Sequence, residues 1–324
     1  MYSIIYLSYV EELCPHAVKC SMKIQAALSN PMNVHRIEIN ILDVNDNSPL
    51  FIEKTHVLNI SESLSPGERY PLPVAVDPDI GSNAVKSYKL SQNEHFSLDV
   101  QSGGEHGVLA ELVLQKALDR EKESAIKLVL TAVDGGVPPR SGTLQLTVNV
   151  IDVNDNSPVF SKSLYKVQIR ENVSPGTFVL QLNATDLDEG VNSDIHYFFI
   201  KTGSIDPSGL FDLNAETGKV TVKDGLDYEE TRAYEIRVQA KDQGVPPRSA
   251  HAKLLIEVID VNDNSPEISV TSLMTPVRED AEQGTVVAFI TVSDKDGGKN
   301  GITRCSVAGS KQPSRFKTLH NKCN

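Results

Sequence analysis

The 324-residue sequence contains no tryptophan, only four cysteines, and fewer bases than acids, 31 Lys and Arg against 43 Asp and Glu. Each shortage excludes something. A net charge of −12 argues against a nucleic-acid binder, whose affinity comes from Lys and Arg neutralising phosphates. Cys14, Cys20, Cys305 and Cys323 are too few for a scaffold built from disulfides. No window approaches about 18 consecutive apolar residues, and stretches such as Thr285 to Val292 have only strand length, so no membrane span is expected. The N-terminal MYSIIYLSYV looks apolar but has no basic flank and no small-residue cleavage site, so it does not read as a signal peptide. No window carries a helical stripe. There is no glycine-rich phosphate loop, no G-x-S-x-G and no nucleophile with an evident base, and the eight histidines are scattered without metal spacing, so an enzyme is not expected.

What is present is a repeat. DVNDNSP begins at Asp43, Asp152 and Asp260, 109 and 108 residues apart. LDRE (Leu118 to Glu121) and LDYE (Leu226 to Glu229) recur in phase, as do TAVDGGVPPR from Thr131 and QAKDQGVPPR from Gln239. An Asp-x-Asp follows each linker, at Asp77 and Asp79, Asp186 and Asp188, and Asp294 and Asp296. Between these landmarks the apolar period is two, as in Lys166 to Glu171, Tyr234 to Ala240 and Leu254 to Asp260. Seven or so such segments per repeat predict an all-β chain of tandem immunoglobulin-like, Greek-key sandwiches. The expected division is a C-terminal remnant of a repeat over 1–49, complete repeats over 50–158 and 159–266, and the N-terminal part of a repeat over 267–324.

Acids spaced as Asp152 and Asp155, or Asp260 and Asp263, do not ionise comfortably together without a counter-charge. A hard cation resolves the conflict, since Ca²⁺ takes six to eight oxygens from carboxylates, Asn side chains and backbone carbonyls. An EF-hand loop also opens D-x-N-x-N, but here the sixth position is Ser, and the twelfth is Lys54, Ser163 or Thr271 where Glu is required. The ligands must converge from distant segments. Asp-x-Asp also occurs in metal-dependent transferases, yet it appears once per repeat here, which an active site would not do.

DxNDN linkers, LDRE, Asp-x-Asp and a Glu on the first strand resemble the cadherin extracellular repeat, and EELCPHAVKCS, YKLSQNEHF and SLMTPVREDAEQGTV bring the chain closest to the clustered protocadherins, with features of their alpha type. The resemblance implies about three Ca²⁺ at each intact junction between repeats. At the middle junction the implied ligands are Glu62, Asp119, Glu121, Asp152, Asn154, Asp155, Asn156, Asp186, Asp188, Asn192 and Asp242, with the Val153 backbone carbonyl and with Asp155 and Glu62 each bridging two ions. At the third they are Glu171, Asp227, Glu229, Asp260, Val261, Asn262, Asp263, Asn264, Asp294, Asp296 and Asn300. The first is damaged on one side, leaving Glu11, Asp43, Val44, Asn45, Asp46, Asn47, Asp77, Asp79, Asn83 and Asp134. A disulfide between Cys14 and Cys20 is implied by the same likeness. Asn59, Asn172 and Asn183 open N-x-S/T sequons.

The function implied is calcium-dependent homophilic adhesion, the partner being the same protein on an opposing cell and the location the extracellular side of the plasma membrane. In that family the first four repeats of opposing molecules align antiparallel, and exposed sheet faces of the second and third set specificity. The expectation is a fragment of a single-pass receptor, or an incomplete gene model of one. The alternative is a secreted calcium-stabilised spacer without self-recognition. The proposed ligands take nearly half of the 43 acids, and the bases outnumber the acids that remain.

Overall fold

The computed structural model describes residues 20–28, 32–102, 107–201 and 206–306. The chain divides into two compact units, Met1–Val153 and Asn154–Asn324. Among the described residues it is almost wholly β, as the period-two pattern predicts, with helix confined to single 3-10 turns such as Gly81–Asn83 and Gly190–Asn192.

In the first unit, β1 (Cys20–Leu28) and β2 (Asn33–Ile41) form an antiparallel pair in which Cys20 faces Ile41. The complete sandwich follows. Strands β3 (Thr55–Ser61), β4 (Arg69–Pro71), β5 (Val85–Leu90), β6 (Phe96–Ser102), β7 (Val108–Leu114), β8 (Ala125–Asp134) and β9 (Ser141–Ile151) sort into a four-stranded sheet, β3-β9-β8-β5, and a three-stranded sheet, β4-β7-β6. The first strand pairs in parallel with the last, β3 with β9, while β8 and β9 are antiparallel neighbours joined through Pro138 and Pro139. Such a pairing of chain-distant strands requires the two-sheet build that the repeat length predicts.

Alternation decides which side chains fill the core. On β8 the inward positions are Ile126, Leu128, Leu130 and Ala132, and on β9 they are Leu144, Leu146, Val148 and Val150, all buried. Leu112 and Leu114 of the opposite sheet meet them.

The second unit repeats this arrangement. Strands β10 (Val159–Phe160), β11 (Leu164–Arg170), β12 (Phe178–Gln181), β13 (Ala184–Thr185), β14 (His196–Ile200), β15 (Phe211–Leu213), β16 (Lys219–Val222), β17 (Ala233–Lys241) and β18 (Ser249–Ile259) give sheets β11-β18-β17-β14 and β12-β16-β15, with β10 paired to β13. Ile236, Val238, Leu254 and Ile256 meet Phe211, Val220 and Val222 between the sheets. Beyond it, β19 (Glu267–Leu273) pairs with β20 (Ala288–Ser293). That pair leaves apolar side chains exposed, Ile268, Val270 and Phe289 among them, whereas Val292 is buried; on β2, Val34 and Ile37 are likewise exposed.

Leu254 is fully buried between the sheets of the second unit. Leu254→Ala is expected to cost about 2–5 kcal/mol, read as a lowered midpoint in urea unfolding; a midpoint shift no larger than that of an exposed control such as Leu187→Ala would contradict this core.

Candidate metal centres

The strand register that builds each core also drives acids into it. The inward series Leu58, Ile60 on β3 continues to Glu62, and Tyr165, Ile169 on β11 leads to Glu171; both carboxylates are buried. Asp134 is the last inward position of β8, and Asp242 continues the series Ile236, Val238, Ala240 just beyond β17. A period of two leaves a side chain no choice of face. At the strand ends next to the linkers, the faces that carry Leu and Val further along carry carboxylates.

Burial of a charge requires partners, and the backbone supplies some. Glu62 accepts from the Arg120 N–H (2.7 Å) and the Val153 N–H (2.8 Å). Glu171 accepts from the Tyr228 N–H (2.7 Å) and the Val261 N–H (2.6 Å). Each first-strand Glu thus ties the LDRE or LDYE turn to a linker. Asp134 Oδ1 accepts from the N–H groups of Gly136 and Arg140, and Asp242 from those of Gly244 and Arg248.

The Asp-x-Asp segments follow one plan three times. The first Asp accepts from the N–H of the second, at 3.1 Å for Asp77, 3.1 Å for Asp186 and 3.0 Å for Asp294. The second Asp is buried and holds the last Asn of a linker through its amide, Asn47 on Asp79 at 2.7 Å, Asn156 on Asp188 at 2.7 Å and Asn264 on Asp296 at 2.8 Å. Asp43 accepts from Asn83 (2.8 Å), and Asp260 accepts from Asn300 (2.7 Å).

Two kinds of residue that the sequence reading passed over also belong here. The linker Asn45 donates to the Pro138 carbonyl and Asn154 to the Pro246 carbonyl, both at 2.8 Å. These amides lie so close to Gly136 and Gly244 that a Cβ there would stand 2.0 Å and 2.1 Å from them, so only glycine fits. Arg140 and Arg248 then donate to the linker carbonyls of Asp46 (2.7 Å) and Asn154 (2.8 Å). Their signal in the sequence is the repeated GVPPR.

These donors leave a remainder. Among the described residues nine buried side-chain oxygen or nitrogen atoms have no hydrogen-bond partner, and seven belong to predicted ligands: Asn45 Oδ1, Asp77 Oδ2, Asp134 Oδ2, Asn154 Oδ1, Asp186 Oδ2, Glu229 Oε1 and Asp296 Oδ2. All seven are oxygens, and five are carboxylate oxygens, the donor chemistry that Ca²⁺ takes. Carboxylates also converge. Glu62, Glu121 and Asp152 bring oxygens within 4.8 Å of one another, as do Glu171, Glu229 and Asp260, and Glu229, Asp263 and Asp296. The residues fit a hard divalent cation. Glu171, Glu229, Asp260, Asp263 and Asp296 would hold it at the third linker, where the ion would supply positive charge to the oxygens they provide.

Crowding is visible in the titration of these acids. Burial, reinforced by the charges of Glu171 and Asp227, pushes Glu229 from 4.5 up to about 7. Burial also raises Asp77, Asp186 and Glu121.

Some predicted ligands are not gathered. Asp119 is half-buried, bonded to the Lys122 N–H and ammonium, and its carboxyl is held low by that lysine. Asp227, by contrast, is exposed and accepts from the Glu230 N–H, yet its carboxyl lies beside Glu229 and helps to raise it. The Val44 carbonyl takes the Asp46 N–H, and Asn262 is exposed. Glu11 and Cys14 lie outside the described residues, while Cys20 is buried and disulfide-bonded. Of the sequon asparagines, all three are exposed, and the Asn172 amide donates to Asp263.

Residues 56–151 and 165–259 each match the family described as Cadherin domain. The chain belongs to the cadherin family. It is 48% identical over 311 residues to protocadherin gamma-C3 of Homo sapiens, covering 96% of this chain and 33% of that protein. Protocadherin alpha-11 of Homo sapiens is also 48% identical, over 316 residues, with the same two shares. This cadherin chain is therefore similar to protocadherins of both alpha and gamma types, and it spans about a third of the length of the curated relatives it matches. Among solved structures, protocadherin gamma B7 extracellular cadherin domains 1–4 superposes with a TM-score of 0.81 at 45% identity, covering 91% of this chain and 71% of that one. Protocadherin gamma B2 extracellular cadherin domains 1–5 gives 0.82 at 42% identity, with 90% and 55% covered. Membership puts the chain in a non-enzymatic, calcium-dependent adhesion family whose repeats bind Ca²⁺ at their linkers.

The raised carboxyls set a pH dependence with opposite signs in two media. Without calcium, the folded chain holds a proton at Glu229 that the unfolded chain has lost between about pH 4.5 and 7, so stability is expected to rise as pH falls through that window. With calcium the same carboxylates must be ionised, so the stabilisation by calcium is expected to shrink over the same window. Thermal unfolding at several pH values, in chelator and in calcium, checks this; parallel pH slopes in the two media would contradict it.

Proposed function

We propose that this chain is the calcium-stiffened part of a homophilic adhesion receptor, displayed on the extracellular side of the plasma membrane and bound by the same protein on an opposing cell. The observation that carries the reading is the set of buried carboxylate and amide oxygens left without partners at all three linkers. Membership in the cadherin family and likeness to protocadherin ectodomains support it.

The division of labour follows from the residues. Glu171 holds the LDYE turn and the linker N–H together, and Asp296 grips Asn264, so the oxygens of one set are mounted on separate segments of backbone. Without a cation, the carboxylates of such a set repel one another and the linker is free to move. With calcium, about three ions per intact junction, they become ligands and the linker is fixed. Extracellular modules of this kind bind at about 10⁻⁴–10⁻³ M, so occupancy follows the exterior medium. The proposed ligands are those inferred from the repeat, with Asp119 and Asn262 reached only after rearrangement of their side chains. Asn59 and Asn183 are the sequons best placed to carry glycan, because the Asn172 amide is engaged with Asp263.

Asp296→Ala is expected to abolish calcium-dependent thermal stabilisation at the third linker. At about 100-fold saturation a single site stabilises by about 2.7 kcal/mol, and weak sites of this class give less. An unchanged calcium titration would overturn the site. Bead aggregation by the full-length protein tests the adhesive part: clumping with calcium and dispersal in chelator are expected, and absence of clumping in both would leave a calcium-stabilised spacer.

A further inference from the structure

The second and third linkers carry matching carboxylate triads, yet the residue between the acids differs. In LDRE it is Arg120, and in LDYE it is Tyr228. Arg120 touches every member of its triad. Its backbone N–H donates to Glu62 at 2.7 Å, its Nη2 to Glu121 at 2.6 Å and its Nε to Asp152 at 2.5 Å. The three side chains of Arg120, Glu121 and Asp152 are only 12%, 13% and 11% exposed, so this contact is shielded from solvent. Charge-assisted bonds in such a setting are stronger than surface ion pairs.

Tyr228 keeps the backbone contact, its N–H donating to Glu171 at 2.7 Å, but brings no charge to the acids. Its ring lies against Gly297, where a Cβ would come within 2.5 Å of Cε1, and the Arg232 guanidinium carbon sits 5.2 Å from the ring centre. Glu229, the counterpart of Glu121, has a buried oxygen without a partner.

We propose that Arg120 is a resident counter-cation that competes with calcium for Glu121 and Asp152, so that the second linker takes up calcium less readily than the third. This rests on reading the triads as calcium sites. Arginine stays charged at any accessible pH, so it leaves only by swinging out on its long stem. A divalent ion at the second linker must displace it, and an ion at the third meets no such rival from Tyr228. As calcium rises, the third linker fills first. As calcium falls, Arg120 partly neutralises its own set while the third set is left to repel.

The test is calorimetric titration of the chelator-stripped full chain with calcium chloride, on the wild type, Arg120→Gln and Tyr228→Arg, with thermal unfolding in chelator alongside. Removing the competitor is expected to tighten one class of sites by about tenfold and to lower the unfolding temperature in chelator. Installing it at the third linker is expected to weaken one class by a similar factor, and this variant decides the matter if Arg120→Gln does not fold. A residue with a merely structural role would not raise calcium affinity when removed. If the wild type binds calcium and both variants overlay it, or if Arg120→Gln binds more weakly, the competition is wrong and the calcium sites stand. If the wild type takes up no calcium, both readings fall.

Discussion

The constraint on which the molecule depends is that strand register buries carboxylates, and that the turns folded against them bury further acid oxygens which hydrogen bonds satisfy only in part. A strand's alternation is set by the Leu, Ile and Val positions that build the core, and Glu62, Glu171, Asp134 and Asp242 sit in phase with them. Moving them to solvent would require a one-residue slip that turns the whole apolar face outward. The chain meets the demand from one side with backbone N–H groups of its own turns and linkers. What is left over lies mainly on the turns beside those strands, at Asp77, Asp186, Glu229 and Asp296, with Asp134 the one strand-borne case, and that remainder is where a cation fits.

This explains why the fold and the linker are written in one pattern. The residues that secure each sandwich to its linker, Glu171 through Tyr228 and Val261, or Asn154 through Asp242 and Pro246, are among the proposed metal ligands. Stability of the repeat ends and calcium chemistry are therefore not separable properties. They also need not be equal at every linker, because one residue, Arg or Tyr, changes what the acids face.

Much of this was legible in the sequence. DVNDNSP in triplicate gave the period, the two-residue alternation gave β17 to within a residue at each end and the C-terminal half of β18, and the acids in phase with them gave most of the candidate ligands. What was hidden depends on close approach and side-chain direction, which composition does not encode. Gly136 and Gly244 stand in the repeated GVPPR with no role legible there, yet their lack of a Cβ is what admits Asn45 and Asn154. Asp119 and Asp227 sit in the right motif, but the carboxyl of each also caps its own turn, through the N–H of Lys122 or Glu230. Arg120 read as part of a motif; only the folded contacts show it lying across the acids beside it.

The central claim is that the oxygens without partners are the ones made for the metal. A crystal structure grown with calcium, with the ions located by anomalous scattering, tests it most directly. The account predicts ions within about 2.3–2.6 Å of Asp77 Oδ2, Asp186 Oδ2, Glu229 Oε1 and Asp296 Oδ2. Ions bound elsewhere on the acidic surface, with those four oxygens still uncoordinated, would contradict it.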